Sequence, residues 1–337
     1  MKSTDESSRI GRPLAENPSQ HGATATPQQR CLACDEPMVS EASWVFRCGA
    51  CNFMISTLSP GAGRGVAGLE SLRLRNFETV LDRIAELLPT GASDLQQCGG
   101  AHLLEVGCAK GWFLKCASLR GMRAEGLEPD IEDTALVRNL NVRVGSFPEA
   151  LDPDARYRVI VFNDVFEHLP DPVQAIAEVE RRLEPGGLAV LNLPSSDGVI
   201  CRAARPLNRL GLAGPYERLW QKGMASPHIT CFNPGNLRSF VKRHTELQPV
   251  YAGALPAVSR RGLWKRISSA YPRATSVALF PLAWCASFGL GLCPSDIQLA
   301  IFQKAQSPNG DSEPPSAPSA ALGKFRTAFP NDQAEPV

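Results

Sequence analysis

Four cysteines near the start of the chain, Cys31, Cys34, Cys48 and Cys51, stand as two C-x2-C pairs thirteen residues apart. Four thiolates at this spacing can close on one tetrahedral Zn²⁺, and with no open position the ion would be structural rather than catalytic. The intervening DEPMVSEASWVFR is long enough for a short hairpin, so the group reads as a small zinc ribbon. A second pattern, LLEVGCAKGWFL over 103–114, ends an apolar run at Glu105 and sets Gly107 and Gly111 before an apolar helical stretch. Glycine lets a backbone turn tightly and approach a ligand closely. A dinucleotide turn needs G-x-G-x-x-G/A. Gly107 and Ala109 fit it, but Trp112 fills the third position, and its bulk argues against NAD or FAD. The remaining pattern, E-x-G-x-x-x-G, suits a nucleoside without a pyrophosphate. Glu128, in GLEPD, lies seventeen residues after Gly111. A carboxylate there can accept hydrogen bonds from both hydroxyls of a ribose.

These residues need a frame, and the hydrophobic periodicity supplies one. Apolar residues at helical spacing predict a helix over 69–88, closed by Pro89 and Gly91. From 101 to 194 strands are expected at 102–106, 123–128, 142–145, 157–163 and 188–193, alternating with helices at 112–120, 131–139 and 172–183. Asp171-Pro172 is an N-cap and first-turn pair, and Pro185-Gly186-Gly187 a stop. Such alternation implies a doubly wound α/β fold with a parallel sheet covered on both faces. A helix at 233–244 and strands at 246–251 and 297–304 follow, with interruptions near 195–227 and 254–295. Residues 1–30 and 306–337 are rich in Ser, Pro, Gly and Gln and are expected to be disordered tails.

Over 102–194, and through later strands to about 305, the chain resembles a class I S-adenosylmethionine-dependent methyltransferase of the methyltransferase domain 23 or UbiG-like kind. LLEVGCAKGWFL resembles motif I of that family, and GLEPD its ribose acid. YRVIVFNDVFEHLPDPVQAIAEVERRLEPGGLAVLNLPSS resembles its fourth strand, EHL, capped helix, L-x-P-G-G and fifth strand over some forty residues. The resemblance implies a seven-stranded Rossmann-like sheet over 66–305, preceded by the ribbon at 31–56, and methyl transfer from S-adenosyl-L-methionine. It implies that Glu105 and the backbone of Gly107, Cys108, Ala109 and Gly111 hold the methionine end, and Glu128 the ribose. Ser146 and Phe147 would face the adenine, and Asn163 and Asp164 would line the floor near the sulfonium.

Three residues depart from the family pattern. Ala109 replaces a central glycine. Ser146-Phe147 stands where an acid often touches the adenine amine. Arg158 replaces an Asp at the opening of the fourth strand and is expected to be structural. If the acceptor must lose a proton, His228 in SPHITCFNPGNL is the first candidate base, because the family often has a His before f-x-p-x-x-l, and His168 in EHL the second. Tyr216 and Trp220 either wall the acceptor site or form the core of a lid.

Lys and Arg total 35 against 34 Asp and Glu. That near-neutral balance disfavours nucleic acid as a partner and leaves a small-molecule or glycan acceptor, a lipid-linked one included. An RNA or protein methyltransferase and a catalytically silent binding module are the rival readings. The odd count of 11 cysteines and the polar first thirty residues lead to an expected cytoplasmic location with reduced thiols. Residues 275–295 carry no charge. They are expected as a buried lid, with peripheral membrane contact through 260–295 as the alternative suggested by the basic flank SRRGLWKRISSAYPR. Spanning a bilayer would tear the following strand, IQLAIFQK, from the sheet.

Overall fold

A computed structural model describes residues 29–63, 69–88, 101–130, 138–258, 260, 262–268, 271–289 and 293–306. Nearly all of the two expected tails, and most of the helix expected over 131–139, lie outside these residues. In chain order the elements are β1 (Met38–Ala42), β2 (Val45–Cys48), β3 (Met54–Ser56), α1 (Glu70–Leu87), β4 (His102–Val106), α2 (Trp112–Leu119), β5 (Arg123–Glu128), β6 (Val142–Val144) and β7 (Tyr157–Asn163). A short 3-10 turn, Phe166–His168, leads to α3 (Pro172–Arg182), β8 (Leu183–Pro194), α4 (Val199–Arg209), α5 (Gly214–Leu219) and β9 (Thr230–Cys231). The last are α6 (Pro234–His244), β10 (Gln248–Leu255), α7 (Leu263–Ser268), α8 (Arg273–Gly289) and β11 (Ile297–Gln303).

Seven strands form the main sheet in the order β10-β11-β8-β7-β4-β5-β6. β6, β5, β4, β7 and β8 run parallel, whereas β11 is antiparallel to both β8 and β10. The parallel sheet expected from the strands over 101–194 is present, and the sheet becomes mixed only at the edge added by β11 and β10. β4 lies between β5 and β7, so successive crossovers leave it in opposite directions and open a crevice at the carboxyl ends of β4 and β7.

Both faces of the parallel strands are buried, as continuous apolar runs require. Leu103, Val159, Val161 and Val190 pack to one side with Phe77 of α1 and Phe113 of α2. Leu104, Ile160, Phe162 and Leu191 pack to the other with Phe232 and Phe240. Local signals set the helix ends. Asp171 accepts a hydrogen bond from Gln174 N at 2.9 Å at the start of α3. Asn233 and Asn236 form a reciprocal capping box at the start of α6, each bond 2.8 Å.

The ribbon shares its sheet with the rest of the fold. β1, β2 and β3 are antiparallel, and β9 adds a fourth strand through the pairs Met54↔Cys231 and Ile55↔Thr230. Ser56 Oγ donates to His228 O at 2.6 Å, Asn236 Nδ2 donates to Cys51 O at 3.0 Å, and His244 Nε2 donates to Leu32 O at 2.9 Å. The Glu41 carboxylate, in β1, receives Arg205 from α4 at 2.7 Å and Arg47 at 2.6 Å. Cys31, Cys48 and Phe53 belong to the same core cluster as Phe162 and Leu191.

Candidate functional site

Glu105 is the next-to-last residue of β4 and is buried, 2 % exposed, at the floor of the crevice. One carboxylate oxygen accepts from Asn163 Nδ2 at 2.9 Å, and Asn163 in turn accepts from Asn192 Nδ2 at 3.2 Å. The other, Oε2, has no hydrogen-bond partner. Burial pushes the Glu105 carboxyl up to about 8. A buried acid with one oxygen vacant is costly alone and suited to a cationic or N–H-bearing ligand.

The turn after β4 has positive φ at Gly107 (72°), Ala109 (45°) and Gly111 (68°). A Cβ at Gly107 would lie 2.5 Å from Val165 Cγ2, so that position requires glycine for space as well as conformation. The Cys108 side chain packs inward, its sulfur beside Gly126, which leaves only its backbone on the crevice. Glu128, at the end of β5, accepts from Ala109 N at 2.7 Å. The ribose acid suggested by the sequence thus already touches the glycine turn. Vacant Glu105 Oε2, the bare Gly107 backbone and the Glu128 carboxylate could together hold the methionine and ribose portions of an adenosyl sulfonium.

Ala109 holds a left-handed conformation that costs an L residue about 1–2 kcal/mol, against about 0.5–1 kcal/mol for the greater unfolded freedom of glycine. Ala109→Gly is therefore expected to leave the protein as stable or about 0.5 kcal/mol more stable in urea unfolding, with donor affinity unchanged. A loss above about 1 kcal/mol would mean that the methyl group contributes packing the backbone argument omits.

Ser146 is exposed, and Phe147 is half-buried with its ring edge-on to Phe162 at 5.6 Å. Phe147 thus leans partly on the core. Asp164 follows β7 at φ 54° and pairs with Arg73 of α1 at 3.3 Å. Arg73 was not foreseen, because nothing in the α1 pattern marks which exposed cation reaches across the crevice. Arg158 donates to Pro185 O at 2.6 Å, the structural role expected of it.

Beyond Asp164 three groups meet. Glu167 Oε, His168 and His228 each offer an atom within 4.8 Å of the others. The two histidine rings are 4.8 Å apart although sixty residues separate them. Neither Glu167 oxygen has a hydrogen-bond partner among the described residues, Oε1 lies 3.8 Å from His168 Nε2, and the residue is 1 % exposed. Burial, then the nearby Asp164 charge, holds its carboxyl well above the usual range. His168 Nδ1 lies 2.9 Å from Pro227 O, a pure acceptor, so Nδ1 carries the hydrogen and Nε2 keeps a lone pair. Burial lowers the His168 pKa. His228 Nε2 takes the amide hydrogen of Gln221 at 2.9 Å, and burial drives its pKa down to about 3. Its lone pair is engaged by Gln221, whereas no hydrogen-bond partner of His168 Nε2 is seen among the described residues. Glu167 went unremarked, though it stands beside His168 in EHL. Glu167, His168 and His228 could also hold a divalent cation.

At the ribbon, Cys31 Sγ and Cys51 Sγ are 3.5 Å apart, as are Cys34 Sγ and Cys48 Sγ. A tetrahedron with Zn–S near 2.3 Å has S···S edges of about 3.8 Å, and all four sulfurs lie within 4.8 Å of one another, so together they could hold that ion. Tyr216 and Trp220 are buried against Trp44 of the ribbon hairpin, at 5.8 and 6.0 Å, within one apolar cluster.

The profile of a methyltransferase-domain family matches residues 72–244. A protein of Mycolicibacterium smegmatis named "Probable S-adenosylmethionine-dependent methyltransferase" is 31% identical over 150 residues, 43% of this chain and 54% of that protein. A ubiquinone biosynthesis O-methyltransferase of Paramagnetospirillum magneticum is 29% identical over 96 residues, 26% of this chain and 39% of that protein. The chain thus spans about half or less of the length of these curated relatives. Among solved structures, geranyl diphosphate C-methyltransferase from Streptomyces coelicolor is similar with a TM-score of 0.45 at 14% identity, covering 70% of this chain and 82% of that one.

Proposed function

The chain belongs to the methyltransferase-domain family, and from that premise we propose that it transfers a methyl group from S-adenosylmethionine to a small-molecule or glycan acceptor. The observation that carries this reading is the closure of the Glu128 carboxylate on the glycine turn, opposite the vacant oxygen of Glu105, at the reversal point of the sheet. The donor supplies an electrophilic methyl group on a sulfonium whose charge vanishes in the transfer. The protein's contribution is alignment and exclusion of water, for which the buried floor of Glu105, Asn163 and Asn192 is built. His168 Nε2 is the atom placed to take a proton from a hydroxyl or amine acceptor, and the nearby Asp164 carboxylate favours the resulting imidazolium. His228 packs on that ring and positions it. The four ribbon cysteines hold one structural Zn²⁺ in this reading.

Incubation with methyl-labelled donor and fractionated cell extract is expected to yield a labelled product. His168→Ala should lower kcat by about 100-fold or more if the acceptor must be deprotonated. The base works only when neutral, and burial lowers its pKa, so activity should persist on acidification until a pH below 6.5 and then fall. Unchanged turnover in His168→Ala would remove the base while leaving the transfer. Micromolar donor binding with no labelled product in any fraction would instead favour the silent binding module.

A further inference from the structure

Thirteen large hydrophobic side chains are exposed among the described residues, and six of them fall between Trp264 and Phe288. The segment was expected as a buried lid, yet Val277, Leu282 and Phe288 are 58 %, 70 % and 60 % exposed. The aromatic rings along it form a ladder: Trp264 on Phe280 at 5.5 Å, Phe280 on Trp284 at 5.8 Å and Trp284 on Phe288 at 6.3 Å. The Arg260 guanidinium sits 4.4 Å over the Phe288 ring.

Charge defines what can cover this face. Residues 247–295 contain no Asp or Glu, whereas Arg260, Arg261, Lys265, Arg266 and Arg273 lie together in sequence around α7 and the start of α8. Lys265 is also paired with Glu70 of α1 at 3.5 Å. A helix with exposed Trp, Phe and Leu beside the exposed cations Arg260 and Arg273 matches the polarity of a lipid headgroup boundary carrying negative charge. Among the described residues no helix is long and apolar enough to cross a membrane. The 17 residues of α8 reach about 26 Å, less than the hydrocarbon thickness of about 30 Å. The segment also leaves and re-enters the sheet at one place, where Leu255 pairs with Ile297.

That place adjoins the crevice. Ile297 pairs with Pro194 at the carboxyl end of β8, the end of the sheet where Glu105, Asn163 and Asp164 lie. Asn76 of α1 donates to Pro256 O at 3.0 Å, on the same helix whose Arg73 reaches Asp164. We propose that the α7–α8 hairpin seats on an anionic lipid surface and holds the crevice beside the bilayer, so that the acceptor is an amphiphile carried in the membrane. The acceptor half of this statement rests on the methyl-transfer reading; the docking half does not.

Flotation of the full chain with phosphatidylcholine vesicles, with and without one-third phosphatidylglycerol, tests the docking. The chain should float with the anionic vesicles at least tenfold more than with the neutral ones, and less as salt rises. Combined Leu282→Ser, Trp284→Ser and Phe288→Ser should cut binding at least tenfold with an unchanged melting temperature. Arg260→Glu with Arg273→Glu should abolish the preference for anionic lipid. No flotation on either composition, or variants that float like the parent, would overturn the docking. So would sedimentation showing the serine variant turning a dimer into a monomer without vesicle binding, which would assign the face to a second copy of the chain. With labelled donor and isolated membranes, label in the organic-soluble extract supports an amphiphilic acceptor. Label confined to water-soluble product would overturn the acceptor half, while vesicle binding without any label would count against methyl transfer itself.

Discussion

Replacing Glu128 with alanine is expected to lower affinity for S-adenosylmethionine by at least about 100-fold in calorimetric titration, with secondary structure intact. Hydrogen bonds to a charged acceptor are worth about 1.5–3 kcal/mol each, and a ribose offers two hydroxyls to one carboxylate. Two such bonds amount to about 3 kcal/mol, or roughly two decades in the dissociation constant. The same carboxylate also accepts from Ala109 N at 2.7 Å, so its removal loosens the turn as well as the sugar contact. Glu128→Gln keeps one acceptor oxygen of similar shape and should fall between the parent and the alanine variant. An alanine variant within tenfold of the parent would show that the ribose lies elsewhere.

Loss of zinc should have an even wider effect. Purified protein is expected to contain about one equivalent, and chelation or Cys48→Ser should lower the melting temperature by more than about 10 °C. Structural zinc contributes binding energy comparable with the whole stability of a domain. Here that energy would be coupled to the main fold. Phe53 of the ribbon packs on Phe232 at 4.9 Å, β3 pairs with β9, and Trp44 completes the cluster around Tyr216 and Trp220. Releasing the four sulfurs frees the strand beside His228, so donor binding should survive better than transfer. A zinc-free chain with unchanged melting would show that the thiols alone suffice.

The legible part of the chain was the part governed by neighbours in sequence. Alternating runs and caps located β4, β5 and β7 to the residue, because apolar periodicity and Asp171-Pro172 act within a few positions. The helix expected to 183 stops at Arg182, and β8 begins directly at Leu183 through the glycine pair read as a break. Pro185-Gly186-Gly187 does interrupt the regular strand, with Gly186 at φ 70° and the register on β7 jumping from Tyr157↔Leu183 to Val159↔Leu188, but it takes no loop to do so. Exposure of α8 was not readable either, since an apolar run looks the same whether protein or lipid covers it.

By itself, the sequence determined the strand–turn–helix with Glu105, Gly107 and Gly111, the carboxylate at Glu128, and the four-sulfur spacing of the ribbon. Each depends on residues close enough in the chain for backbone geometry to join them. Tertiary structure decided that β11 runs antiparallel, that β9 completes the ribbon sheet, and that Glu167, His168 and His228 share one buried pocket. Those outcomes follow from strand pairing and burial across more than fifty residues, where many partners compete and only the whole core selects one.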